Sequence, residues 1–213
     1  MGQDVAAYGG VFKVTDGFVA QFGKARVRNT PICESAIVAA AYGLSVNGMK
    51  AVMEMQFADF VSSGFNPIVN LLAKSHYRWG EKVAVVIRMP CGAGVGAGPF
   101  HSQTNEAWFT KTPGLKVVYP AFPQDAKGLL AAAIDDPNPV LFFEHKGLYR
   151  SIYQEVSENH FTLEIGKANQ LKTGAHISII TYGAGVHWAL ETLAKNPLIS
   201  ADLIDLRTLQ PFD

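Results

Sequence analysis

Nearly continuous apolar stretches alternate with helix-like segments over residues 30–146, and this alternation strongly constrains the fold. Four stretches, rich in β-branched and aromatic residues, read as strands: "KAVMEMQF" (50–57), "KVAVVIRMP" (82–90), "LKVVYPA" (115–121) and "PVLFFEHK" (139–146). Continuous hydrophobicity of this kind is typical of parallel strands covered on both faces. Three helical patterns lie between or before them: about 34–47, 63–79 and 123–135. The pattern predicts an α/β fold with a doubly wound, mostly parallel sheet.

The regular alternation of strand and helix patterns stops after residue 146. Residues 147 to about 174 include the polar run "SIYQEVSENH" and have no strong periodicity. The following "AHISIITYGAGVHWALETLAKN" predicts a strand, a glycine-containing turn and a helix, and "SADLIDLRTLQPFD" predicts another strand. One such unit cannot enclose a core alone. We therefore expect a domain at 1–150, a linker at 151–174 and an incomplete start of a second α/β domain at 175–213.

Charge and cysteine content argue against several classes of function. Hydrophobic residues make up 48% of the chain and the net charge is zero, so we expect a substantial core and no nucleic-acid or anionic-membrane partner. Cys33 and Cys91 form no CxxC motif, which argues against structural zinc and a disulfide framework. No apolar run reaches the length of a membrane span, and "GQDVAAYGG" after Met1 does not resemble a signal peptide. We expect a cytoplasmic protein.

The stretch "NTPICESAIVAAAYGLSVNG" (29–48) places a single acid, Glu34, in an apolar helical pattern. Three apolar residues share its helix face: Ile37, Val38 and Ala41. One interpretation is structural: Asn29 or Thr30 caps the helix, Pro31 lies in the first turn, and Glu34 favours the positive end of the helix dipole. The other is a functional carboxylate, held in an apolar site, that moves a proton.

The loop "RMPCGAGVGAGPFHSQTNEAW" (88–108) follows a strand, and ligands collect at the carboxyl ends of strands in such folds. Its glycines do not match a dinucleotide-binding fingerprint, because they lead into a proline rather than directly into a helix. His101 is either an ordinary loop histidine or, with Ser102 and Gln103, a substrate-facing residue.

Two further groups have both a structural and a functional interpretation. Phe57, Phe60 and Phe65 follow the first predicted strand, where they form core or a stacking platform for a flat heterocycle. Asp136 and Asn138 lie in a predicted turn, which explains them adequately, although their oxygens could also hold a hard cation.

Taken together, these segments resemble the beta subunit of the thiamine-diphosphate-dependent first component of 2-oxo acid dehydrogenase complexes. The matching segments occur in the same order: "MGQDVAAYGGVFKVTDGF", "TPICESAIVAAAYGL", "EMQFADF", "GPFHSQTNEAWFTKTPGLKVVYPAFPQDAKGLL", "DPNPVLFFEHKGLYR" and "IDLRTLQPFD". The resemblance implies a transketolase-like pyrimidine-binding domain followed by the start of a C-terminal transketolase-like domain. The segments "TPICE", "QFADF" and "FFEHKGLYR" favour the branched-chain type over the pyruvate type.

The resemblance also implies roles for individual residues. Glu34 matches the cofactor-activating acid, which hydrogen-bonds N1′ of the aminopyrimidine ring and so promotes loss of the thiazolium proton. Phe60 matches an aromatic residue that packs on this ring, where the family often has tyrosine. Ile32 matches a position whose backbone contacts the pyrimidine. His101 matches the active-site histidine that helps to position the substrate or the acyl-transfer partner.

The resemblance implies that half of the cofactor site lies elsewhere. The wider superfamily holds the diphosphate and Mg²⁺ with "GDG" and a later "NN", and neither string occurs in the sequence. We therefore expect an alpha subunit or a fused alpha region, a second beta copy in a heterotetramer, and a lipoyl-bearing acyltransferase component. A eukaryotic member would act in the mitochondrial matrix. The resemblance further implies a potassium site formed by the Ala133 carbonyl, Asp136 and Asn138.

Three alternatives remain open at the level of sequence. The chain could be a pyruvate dehydrogenase beta subunit, or half of another thiamine-diphosphate enzyme such as a transketolase. Sugar-phosphate substrates would require basic residues near "HSQ", and none occurs there before Lys111. A structural or regulatory relic that only pairs with a partner is the third alternative, and the retention of Glu34, Phe60 and His101 argues against it.

Overall fold

The computed structural model describes residues 1–213 and contains a five-stranded main sheet. Its strands are β1 (Ala51–Glu54), β2 (Val85–Cys91), β3 (Lys116–Val118), β4 (Val140–His145) and β8 (Thr208–Gln210). Their order across the sheet is β1-β2-β4-β3-β8. The first four are parallel, and β8 runs antiparallel to β3. The predicted mostly parallel sheet is therefore confirmed.

Helices cover both faces of this sheet. They are α2 (Glu34–Val46), α3 (Val61–Asn66) and α4 (Ala73–Trp79) on one face and α5 (Pro123–Asp135) on the other. Two more helices lie away from these faces: α1 (Phe18–Phe22), which has no buried residue, and α6 (Ala184–Lys195). Alternate residues of β2 point to opposite cores: Val85 and Ile87 join the larger cluster beneath α2 to α4, and Val86 joins the smaller one beneath α5. This arrangement confirms the doubly wound prediction. None of the helices is both long and apolar enough to cross a membrane.

The helix predicted at 63–79 was wrong in detail, because the structure divides this region. Between α3 and α4 lies a π-helical segment, Pro67–Leu72. Pro67 has no N–H to donate to the carbonyl of Ser63 four residues earlier, so the regular pattern fails there. The Ser63 carbonyl accepts a hydrogen bond from the Ser35 hydroxyl instead. The irregularity thus joins α3 to the first turn of α2.

The expected cap of α2 was also wrong. The helix begins at Glu34 and its N-cap is Cys33, whose side chain makes no capping hydrogen bond. The Asn29 side chain accepts the N–H of Ala6 at 2.7 Å instead, and the Thr30 hydroxyl is buried without a partner. Glu34 therefore lies in the first turn, where a carboxylate is favoured by the helix dipole.

A second, three-stranded sheet follows. It consists of β5 (Asn169–Lys172), β6 (Ile177–Thr181) and β7 (Ala201–Asp205), in the order β5-β7-β6. The predicted strand, helix and strand after residue 175 are present as β6, α6 and β7, with β6 and β7 parallel. The segment predicted as a linker ends with β5, which belongs to this sheet.

Several contacts join the second sheet to the main one, and two of them follow β7. Strand β8 follows β7 and completes the main sheet beside β3. Before it, the Arg207 guanidinium donates two hydrogen bonds to the Asp125 carboxylate on α5, at 2.9 and 2.8 Å. A paired, planar interaction of this kind fixes orientation as well as distance. The last residues of the chain are therefore held against the domain that contains the main sheet.

Candidate active site

Three strands of the main sheet end at one edge, which we call the carboxyl edge. Because β1, β2 and β4 are parallel neighbours, the segments that follow them meet there. Each strand leads into irregular backbone with a short 3-10 turn: Ala58–Phe60 after β1, Pro99–His101 after β2, and Lys146–Leu148 after β4. The glycine-rich loop leads to such a turn and not to a helix, which agrees with the absence of a dinucleotide fingerprint.

An aromatic cluster occupies the carboxyl edge. The centre of the His101 ring lies 4.6 Å from that of Phe57 and 5.5 Å from that of Phe60, and both pairs are nearly perpendicular. We call these three residues the His101 cluster. Phe65 is separate, because it packs against Phe109 with ring centres 5.6 Å apart. The structure thus brings His101 together with two of the three phenylalanines noted in the sequence, Phe57 and Phe60.

Glu34 lies near the same edge and is buried, with 7% of its surface exposed. The Gln3 side-chain amide donates to its Oε1 atom at 2.9 Å. The neighbouring Gly2 forms a β-bridge to Glu54, the last residue of β1, and this places Glu34 beside the strand end. The Oε2 atom has no hydrogen-bond partner within the chain and is not fully enclosed. The Ile32 side chain, two residues earlier, is 83% exposed.

A buried ion network lies at the ends of the three strands. Arg88 of β2 donates to Glu54 of β1 at 2.5 Å and to Glu144 of β4 at 2.7 and 2.6 Å. The Tyr149 hydroxyl donates to Glu144 at 2.5 Å. Burial raises the pKa of Glu54, and the Arg88 charge opposes this rise. One arginine thus connects three adjacent strands where the candidate site begins.

Two charged residues beside the His101 cluster were not singled out from the sequence. Asp59 is buried, and its Oδ1 atom accepts the N–H groups of Ser102 and Gln103, both at 3.1 Å. Lys146 is also buried, and its Nζ atom lies 5.4 Å from the centre of the Phe57 ring. Burial lowers the pKa of Lys146, against the opposing effects of Cys91 and Asp59. Their positions just after β1 and β4 were the signal that could have found them.

His145, the last residue of β4, extends the edge on its other side. Burial lowers the pKa of His145, and the neighbouring Lys146 charge lowers it further. Gly92 allows the ring to fit, because an added Cβ atom would lie 2.3 Å from the imidazole. His145 also lines a cleft of about 510 Å³ together with Ser102 and His187. This cleft lies between the main sheet and α6.

Of the three residues predicted to bind potassium, Asp136 is already engaged in other contacts. Asp136 forms an ion pair with Lys116 through Oδ2, and its Oδ1 atom accepts the N–H of Asn138 at 2.9 Å. The Ala133 carbonyl has no helical donor four residues later, because that residue is a proline. A cation would therefore find a free carbonyl oxygen but a carboxylate already neutralised by lysine. The turn accounts for these residues, and the potassium site stays a prediction.

Sequence comparison identifies the family of the domain that contains the main sheet. The family model "Transketolase, pyrimidine binding domain" matches residues 1–151. The chain belongs to this family. The model "Transketolase, C-terminal domain" matches residues 166–213. The family resemblance noted in the sequence and the transketolase-like fold class are both confirmed.

Two curated relatives are similar over the whole chain. The "2-oxoisovalerate dehydrogenase subunit beta" of Bacillus subtilis is 48% identical over 218 residues, covering 100% of this chain and 66% of the relative. The "Pyruvate dehydrogenase E1 component subunit beta" of the same organism is 46% identical over 217 residues, with the same coverage. The chain therefore spans just under two thirds of each relative. The two identities are too close to separate the branched-chain type from the pyruvate type.

A solved structure shows the same architecture. It is titled "Split gene transketolase, inactive beta4 tetramer" and superposes with a TM-score of 0.74 and 25% sequence identity. The match covers 95% of this chain and 65% of that chain. The shared fold therefore includes nearly all of this chain.

Proposed function

We propose that this chain supplies the pyrimidine half of a thiamine diphosphate site in the beta part of a 2-oxo acid dehydrogenase. The observation that carries the proposal is Glu34, a buried carboxylate at the carboxyl edge with one oxygen held by Gln3 and the other available. An arrangement of this kind suits a hydrogen bond to a weakly basic ring nitrogen, shielded from water. The similarity to two dehydrogenase beta subunits supports the same assignment.

Each residue of this site has a distinct task in the proposal. The Glu34 Oε2 atom would hold the proton at N1′ of the aminopyrimidine ring. Phe60 would pack on that ring, and the backbone of Ile32 would contact it from the segment before α2. His101 would position the substrate or the incoming acyl acceptor. The bound cofactor would supply the nucleophilic carbon and the electron sink that decarboxylation of a 2-oxo acid requires.

The rest of the site would come from partners. We propose that an alpha subunit, or a fused alpha region, holds the diphosphate and Mg²⁺, because the chain lacks the sequence strings that do so in the superfamily. A second beta copy and a lipoyl-bearing acyltransferase would complete the assembly. The exposed side chain of Ile32 and the open Oε2 atom of Glu34 suit a site shared between polypeptides.

We also propose a branched-chain 2-oxo acid, such as 3-methyl-2-oxobutanoate, as the preferred substrate. Support comes from the segments "TPICE", "QFADF" and "FFEHKGLYR". The measurement is the kcat/KM of the assembled enzyme for 3-methyl-2-oxobutanoate and for pyruvate. Equal values, or a preference for pyruvate, would refute this part of the proposal and leave the reaction class intact.

The role of Glu34 is tested with Glu34→Gln, which keeps the size of the side chain and removes its charge. In the enzyme assembled with its alpha partner, decarboxylation followed with an artificial electron acceptor should fall by about 100-fold or more. The exposed Glu81 provides the matched control, and Glu81→Gln should leave the rate unchanged. A Glu34→Gln enzyme that retained full activity would contradict the assigned role.

A further inference from the structure

The hydrogen bonds that tie the His101 loop to the neighbouring strand ends lie mostly after the histidine. The residues before it include Gly92, Gly94, Gly96 and Gly98, which place little restriction on the backbone. The two residues after it, Ser102 and Gln103, both donate their backbone N–H groups to a single Asp59 oxygen. A hydrogen bond to a carboxylate is stronger than one between neutral groups. Asp59 is therefore a principal restraint on where His101 lies.

Two further hydrogen bonds hold the base of this loop but do not fix its tip. The N–H of Gly92 donates to the carbonyl of Gln103 at 3.0 Å, and the Asn105 side chain donates to the carbonyl of Ala58 at 2.9 Å. These bonds set the two ends of the loop relative to the strands. Next to His101, the His101 N–H and the Ser102 hydroxyl donate to the Gly98 carbonyl within the loop, and the Asp59 carboxylate supplies the hydrogen bonds to the rest of the protein.

The second oxygen of Asp59 and the Lys146 ammonium share an unusual property. Both Asp59 Oδ2 and Lys146 Nζ are fully buried and have no hydrogen-bond partner. Buried unpartnered groups are rare in folded proteins, and each requires an explanation. The two carry opposite charges, and both lie beside the His101 cluster: Lys146 Nζ lies over the Phe57 ring, and Asp59 bonds the two residues that follow His101. Their charges attract, as the opposing effect of Asp59 on the pKa of Lys146 indicates.

We propose that Asp59, with its charge balanced by Lys146, is a positioning residue for His101. Asp59 holds the backbone of Ser102 and Gln103, and the Lys146 ammonium offsets the charge of this buried carboxylate. The pair sets the distance between His101 and the Phe57 ring without touching the substrate itself. This inference rests on the proposed function for its kinetic consequences, whereas the anchoring of the loop does not.

The anchoring can be measured without any activity. Amide hydrogen exchange of the segment containing Ser102 and Gln103 should become faster in Asp59→Ala. Asp202 is the matched control, because its carboxylate also accepts a backbone N–H, from Gly174 at 3.0 Å, on the second sheet. Asp202→Ala should leave exchange near His101 unchanged. Unchanged exchange in Asp59→Ala would overturn the proposal.

The kinetic test is a double-mutant cycle in the enzyme assembled with its alpha partner. Asp59→Ala should lower kcat by about 10- to 100-fold and slow the same step as His101→Ala, because a small displacement of a positioned group has effects of this size. The KM for the 2-oxo acid should change by less than about threefold. In the His101→Ala background, Asp59→Ala should reduce kcat by less than about threefold further, because both changes remove one contribution. Losses that multiply would mean that Asp59 acts independently of His101 and would overturn the proposal.

The role of Lys146 is tested by neutralising each member of the pair. Asp59→Asn keeps the acceptor for the two N–H groups, so its kcat should exceed that of Asp59→Ala. Lys146→Met should lower kcat by leaving the carboxylate unbalanced, and the double variant Asp59→Asn/Lys146→Met should recover most of the loss. A double variant that is no better than Lys146→Met would overturn the pairing. An inactive wild-type assembly with slow loop exchange would instead refute the proposed function and leave the anchoring established.

Discussion

The Asp205→Asn variant should gain stability relative to the wild type as the pH rises from acidic to neutral. Asp205 is the last residue of β7 and is completely buried. One oxygen accepts the N–H of Arg207 at 3.1 Å, and the other has no partner. Burial, with a smaller contribution from the Asp125 charge, raises the pKa of Asp205 from its ordinary value of 3.8 to about 6.

The size of the effect follows from these two pKa values. Because the folded value lies above the unfolded one, the contribution of Asp205 to stability is complete below pH 3.8 and is lost as the pH rises through 6. The loss amounts to about 1.6 kcal/mol at pH 5 and about 3 kcal/mol at pH 7.5. Asparagine does not titrate, so the stability of Asp205→Asn relative to the wild type should increase by about 1.4 kcal/mol between these pH values.

Equilibrium unfolding in urea, followed by tryptophan fluorescence at several pH values, measures this difference directly. Asp202, on the same strand, provides the control, because hydrogen bonds from Gly174, Ser178 and Gln170 lower its pKa. It is fully ionised from pH 5 to 7.5, so Asp202→Asn should change the stability by a constant amount over that range. A difference between Asp205→Asn and the wild type that stayed constant, or decreased with rising pH, would refute the reasoning.

Two further substitutions test the packing of the domain that contains the main sheet. Arg88→Met should lower the free energy of unfolding by about 3–5 kcal/mol, because it leaves two buried carboxylates without their arginine partner. In urea unfolding, adding Glu144→Gln to this variant should recover part of the loss. An unchanged unfolding midpoint in Arg88→Met would contradict this prediction. Gly114→Ala should lower the thermal midpoint more than Gly80→Ala. Both glycines have positive φ, but only at Gly114 would an added Cβ atom meet a backbone oxygen, that of Ala73, at 1.9 Å. Equal effects of the two alanines on the midpoint would show that the contact with Ala73 is relieved without penalty.

Periodicity and composition predicted much of the fold because strand burial leaves a direct trace in the sequence. In β2 every residue is buried, and the hydrophobic run "KVAVVIRMP" reports this even though Arg88 lies within it. The break at Pro67 was not predicted, although proline cannot donate the hydrogen bond that a regular helix requires. The pairing of β8 with β3 could not be predicted either, because a strand of three residues has no periodicity to detect.

The site was predicted less completely than the fold, for a physical reason. Glu34 and His101 stand out because their neighbours in sequence are apolar or glycine-rich. Asp59 and Lys146 have their partners far away in the sequence, so that their importance appears only when three strand ends meet. Local rules also misassigned the cap of α2, because the side chain of Asn29 bonds to the distant Ala6. Long-range pairing of polar groups is the information that a single sequence lacks.

These observations explain how Glu34 and His101 can be held in defined positions where there is little regular structure. Glu34 is fixed by the start of α2 and by Gln3, which follows the Gly2 bridge to β1. His101 lies in a single 3-10 turn, Pro99–His101, and Asp59 supplies the hydrogen bonds that hold the residues after this turn to the rest of the fold. The first group therefore depends on the fold as a whole, whereas the second depends on one carboxylate. We expect changes at Asp59 to lower kcat by more than any loss of stability explains, whereas changes to the Arg88 network lower stability first. Urea midpoints and kcat measured on the same variants distinguish these two forms of dependence.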